Sequence, residues 1–99
     1  MLLITGTFRI VPEKLAGARE AMERMIRSSR KEAGCISYAY APDLLDPGLV
    51  HVIEAWSSRE ALDAHFASQH ILRWRAEWPS LSIADRNLTL HEVASSRPT

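Results

Sequence analysis

The spacing of hydrophobic residues along this chain switches between two and three-or-four, and these changes of period most constrain its fold. From Leu2 to Val11, Ile4, Phe8 and Ile10 share one face with Gly6, while Thr5, Thr7 and Arg9 take the other, as in a half-buried strand. Pro12 suits the first turn of a helix, where its missing N–H needs no partner. Leu15, Ala18, Met22, Met25, Ile26 and Ser29 then recur at helical spacing to about Ala33, and Gly34 is a suitable terminator. Cys35 to Ala41 is predicted as a second strand with Ile36, Tyr38 and Tyr40 on one face. Turn residues Pro42, Asp43, Asp46, Pro47 and Gly48 lead to a third strand, Leu49 to Trp56. There Val50, Val52, Glu54 and Trp56 share a face, opposite His51, Ile53 and Ala55. Ser57 or Ser58 caps a second helix with Leu62, His65, Phe66 and Gln69 on one side. A further helical piece carries Ile71, Trp74 and Trp78, read as packing residues, and is predicted to end at Pro79. Ile83 to Ala94 is the last strand, with Leu88, Leu90 and Glu92 aligned.

The order strand, helix, strand, strand, helix, strand is the split β-α-β pattern. It predicts an α+β, ferredoxin-like β-α-β-β-α-β fold: one four-stranded antiparallel sheet with the helices on one face. Residues 1–99 are expected to form a single domain, with 95–99 as a frayed polar tail. The helix-free face would carry Thr5, Thr7, Ser37, Ala39, His51, Ile53 and Ala55, a set too apolar for a well-solvated surface. A homodimer through that sheet face is therefore expected.

Composition narrows the function. Twelve basic residues balance twelve acidic ones, so no nucleic-acid partner is expected. No apolar run approaches the roughly 20 residues of a membrane helix, so no membrane partner is expected either. Arg9 interrupts the apolar start, which is read as a strand and not a signal peptide. The lone Cys35 rules out an intrachain disulfide and fits a cytoplasmic location. No glycine-rich phosphate fingerprint occurs. His65 and His70 are five apart, a poor match for one helical face, so neither metal nor other cofactor is expected.

One stretch concentrates chemistry. Glu54 and Trp56 are two apart on a strand and point the same way; His65 follows Leu62 by three on the next helix and turns inward with it. An inward Glu, Trp and His would meet between sheet and helices, beside Tyr38 and Tyr40. Gly6 would leave room there for a ligand. A buried carboxylate needs a partner, so Glu54 is the hardest of these to read as mere packing.

The segments Gly34-Cys35-Ile36-Ser37-Tyr38, Glu54-Ala55-Trp56, Leu62-Asp63-Ala64-His65 and Ser68-Gln69-His70 resemble the antibiotic-biosynthesis monooxygenase family, over roughly residues 2 to 75. The resemblance implies a dimeric α/β barrel in which two sheets face each other. It also implies a cofactor-independent monooxygenase acting on a small electron-rich aromatic, a hydroquinone or phenolic polyketide. His65, Glu54 and Tyr38 would be catalytic, and Trp56, Tyr40, Gly6 and Phe66 would bind substrate. The same resemblance admits haem-degrading or signal-molecule-processing relatives, or a non-catalytic small-molecule-binding stress-response domain. Haem is disfavoured by the few basic residues expected around the slot.

Overall fold

The alternating residues of four segments pair into one antiparallel sheet in the computed structural model, which describes residues 1–99. The elements are β1 (Leu2–Ile10), α1 (Leu15–Arg30), β2 (Cys35–Pro42), β3 (Leu49–Trp56), α2 (Arg59–Phe66), α3 (Gln69–Leu81) and β4 (Ile83–Glu92). A 3-10 turn, Pro12–Lys14, leads into α1. The strand order is β2-β3-β1-β4, the arrangement of a ferredoxin-like α+β fold. No helix is long and apolar enough to cross a membrane.

Register decides which side chains meet. Tyr38 pairs with Glu54, Tyr40 with Val52, and Ile4 with Glu54 across the other edge of β3, so these residues share the helix-covered face. With Phe8, Val50, Trp56 and the α1 residues Ala18, Met22 and Met25 they build the core. The expectation that Ile36 lies beside Tyr38 and Tyr40 is corrected. The register shifts between Cys35 and Ser37, which takes Ile36 out of the alternation and leaves it 56% exposed.

Pro79 does not end the last helix. It lies inside α3, which runs on to Leu81 and stops at Ser82 in the left-handed conformation (φ 55°). Only the final turn follows the proline, so its missing N–H removes little of the helical ladder. The helix-free face carries Thr5, Thr7, Ser37, Ala39, His51 and Ile53, as the alternation predicts, and Ile53 is 48% exposed; Ala55, expected among them, is instead buried at 5% exposed.

Candidate active site

Two serines and one glycine position the ionisable residues. Ser58 caps α2 by accepting from the Ala61 N–H at 3.1 Å, which fixes the helix that presents His65. Ser68 caps α3 and donates from Oγ to the His65 carbonyl at 2.6 Å, so the chain turns sharply between the two helices. Gly34 adopts φ +84°, and a Cβ there would lie 2.5 Å from the Ala61 Cβ. The Gly34 carbonyl accepts from the Ser57 N–H at 2.8 Å. The loop after α1 is thereby held against the start of α2, and Glu32 is brought to His65.

His65 is 1% exposed and donates from Nδ1 to Glu32 Oε2 at 2.6 Å. A carboxylate only accepts, so the Nδ1 proton is assigned by its partner and Nε2 is left as the basic nitrogen. Nε2 stands 4.0 Å from Glu54 Oε1. Glu54 itself accepts from the Trp56 indole at 3.1 Å. Burial pushes the Glu54 carboxyl up, opposed by the Trp56 hydrogen bond. Burial pushes the His65 imidazole down, opposed by Glu32. The buried environment thus favours a neutral imidazole. Tyr38 and Tyr40 join hydroxyl to hydroxyl at 2.8 Å, and burial raises both phenols far above their ordinary value, so both remain protonated donors.

Glu54, His65, Tyr38, Tyr40 and Phe66 all border one cavity of about 30 Å³ between sheet and helices. That is room for roughly one or two waters. Trp56 and Gly6 do not border it. Trp56 is wholly buried behind His65, ring centroids 4.5 Å apart, so it supports the site and does not wall it. Gly6 serves a different approach from the ligand space expected of it: a Cβ there would meet the Asn87 carbonyl of β4 at 2.0 Å. The aromatic walls come instead from Trp74 and Trp78, which were expected only to pack. Trp74 stacks on Tyr40 at 5.9 Å and meets Trp78 edge-on at 6.3 Å. The Trp78 indole N–H is buried without a partner.

The basic residues expected to be scarce are present. Arg75 lies over Phe66 at 5.8 Å and Arg86 over Trp78 at 5.6 Å, and both border the cavity. Arg86 shares the alternation of Leu88 and Leu90 and was legible from it, whereas a bulge near Asp85 (φ 52°) brings Ile83, out of phase with them, to the same side. Glu32 was also missed. Its only sequence cue was its place two residues before the turn glycine.

The family model for antibiotic biosynthesis monooxygenases matches residues 1–77. Rv0793 of Mycobacterium tuberculosis, which bears a monooxygenase name, is 36% identical over 74 residues, 75% of this chain and 72% of Rv0793. Its solved structure superposes with a TM-score of 0.76 at 29% identity, covering 98% of this chain and 96% of that one. The protein sll1783 of Synechocystis is 25% identical over 96 residues; these are 97% of this chain but only 65% of sll1783. A Deinococcus radiodurans protein described as an antibiotic biosynthesis monooxygenase shares the fold at TM-score 0.92 and 24% identity, over 100% of this chain and 98% of that one. The chain belongs to the antibiotic biosynthesis monooxygenase family.

Proposed function

We propose that this protein is a cofactor-independent monooxygenase for a small, electron-rich aromatic of the hydroquinone or phenolic polyketide type. The observation that carries the reading is the 4.0 Å separation between His65 Nε2 and Glu54 Oε1 at the edge of an aromatic cavity. It is too long for a hydrogen bond and wide enough for a hydroxyl oxygen about 2.8 Å from each. His65 Nε2 takes the proton of that hydroxyl as general base, while Glu54, in the protonated form that burial favours, donates to the same oxygen and steadies the anion, with Tyr38 lining the slot beside it. The anion is electron-rich enough to reduce dioxygen by one electron. The resulting superoxide and substrate radical combine at a ring carbon, and the hydroperoxide loses water to leave an oxygenated quinone. One oxygen atom stays on the ring and the other leaves as water. The substrate supplies all four electrons, so no metal or flavin is needed.

Tyr40, Phe66 and Trp74 face the ring, while Trp56 keeps Glu54 in place. The resting cavity is too small for an aromatic ring, so binding requires the exposed side chains Phe66, Arg75 and Arg86 to swing outward. Such rotations are fast at exposed positions. The working unit is a homodimer joined through the helix-free sheet face, and residues 1–99 act as one domain with its polar end, 95–99, outside the site. A reducing cytoplasm suits the single thiol.

Purified, colourless protein is incubated with a panel of hydroquinones and anthrones, with and without oxygen, and products are followed by mass spectrometry. Oxygen-dependent gain of one oxygen atom with loss of two hydrogens is expected. Identical product profiles with and without protein across the panel would overturn the assignment.

A further inference from the structure

We infer that Glu32, His65 and His70 form a binding site for a divalent transition-metal ion of the zinc type. The donor atoms of these three side chains all lie within 4.8 Å of one another. Glu32 Oε2 already holds both rings, at 2.6 Å from His65 Nδ1 and 3.1 Å from His70 Nε2. Two imidazoles and one carboxylate are a ligand set that zinc accepts, with metal–ligand distances of about 2.0–2.2 Å. Tetrahedral ligands at that distance stand about 3.3 Å apart, so the two Glu32 contacts open by less than about 1 Å and the two imidazoles close by up to about 1.5 Å to convert the hydrogen-bonded cluster into a coordination site.

Spacing alone argues against this set, because residues five apart do not share a face of one helix. The chain between them is not one helix. It breaks after α2, and Ser68 caps the start of α3 while gripping the His65 carbonyl, which folds His70 back over the same carboxylate. Access differs usefully across the three. His65 is 1% exposed, whereas Glu32 and His70 side chains keep 16% and 21% of their surface. A solvent groove between α1 and α3, bordered by His70, Gln69 and Arg24, opens on the His70 side.

Proton accounting links the metal to the base. In the metal-free protein the His65 proton sits on Nδ1 and Nε2 is free. An ion on Nδ1 takes that lone pair, so a neutral His65 must carry its proton on Nε2. The metal-bound form therefore cannot accept a proton there, and the ion acts as an inhibitor, not as the source of oxygen chemistry. Only this consequence rests on the proposed function; the site itself rests on its ligands.

The test is titration of the full-length protein with cobalt(II), followed by visible absorption, and with zinc, followed by calorimetry and melting temperature. One ion per chain, a low-coordination cobalt spectrum and a rise in melting temperature are expected. His70→Ala, at a partly exposed position, should keep its metal-free melting temperature. It should weaken binding by at least the roughly 10–100-fold that loss of an outer-shell partner costs. Glu32→Gln should weaken binding likewise, and His51→Ala, far from the cluster, should not. Absence of a cobalt spectrum and of any zinc-dependent melting shift would overturn the site. So would binding that survives both His70→Ala and Glu32→Gln. None of these readings uses substrate, so a protein that fails to turn over aromatics leaves them intact. Where turnover is measured, zinc should inhibit the wild type and have at least roughly tenfold less effect on His70→Ala.

Discussion

Glu32, Glu54 and His65 form a chain of ionisable groups in which each has a different neighbour and a different task. Glu32 fixes the tautomer of His65, Glu54 is fixed by Trp56, and the unbonded separation lies between them. His65→Gln is expected to preserve fold while lowering the oxygen-dependent rate by roughly 100-fold or more. Melting temperature and turnover measured on one preparation check this; a normal rate at a normal melting temperature would remove His65 from the chemistry. Glu32→Gln should lower the rate less, since an amide oxygen still accepts from Nδ1. It should also move the acidic limb of the pH–rate profile to lower pH, because a charge that favours the imidazolium is gone. A merely structural Glu32 would leave that limb in place. For the wild type the limb should lie below the ordinary imidazole value of about 6.5. The same depression has a stability sign. The unfolded chain binds the proton more readily, so His65's contribution is present above about pH 6.5 and is lost as pH falls toward the folded value.

The loop from Glu32 to Gly34 and the break between α2 and α3 decide how accurately those residues meet. Gly34 combines a left-handed backbone with a contact that no side chain fits. Gly34→Ala should therefore cost about 1–3 kcal/mol in denaturant unfolding, because backbone strain and a clash at Ala61 add. A loss below about 0.5 kcal/mol would show that the loop relaxes freely. Trp56 illustrates the other use of an aromatic in an element. It ends β3, fills space behind His65 and spends its only donor on Glu54. Its burial makes it a support on which the carboxylate depends, although it never reaches the cavity.

At the scale of the whole molecule the sheet has one covered face and one open face. Thr5, Thr7, Ala39 and Ile53 on the open face offer short and apolar groups that a second copy would cover. Light scattering at micromolar concentration is expected to give about twice the 11.1 kDa chain mass. Ile53→Glu should shift the population toward monomer by desolvating a charge at the contact. A wild-type monomer throughout that range would discard the facing-sheet dimer. The cavity is on the opposite, helix-covered side, so Ile53→Glu should leave the chemistry of a folded monomer's site geometrically intact.

The periods in the sequence were enough to assign the four strands, the helices and the face on which Glu54, Tyr38 and His65 lie. Periodicity follows from local backbone geometry, and local geometry is encoded residue by residue. The resemblance carried by Glu54, Trp56 and His65 added the family. Tertiary structure alone decided which residues border the cavity. The bulge after Cys35 moved Ile36 out, the bulge near Asp85 brought Ile83 in, and the depth of Trp56 placed it behind the site. The Glu32–His65–His70 cluster was equally invisible, because it joins a loop to two helices across a break. Such contacts depend on turns, bulges and the packing of distant segments, whose positions are fixed only when the whole chain is folded.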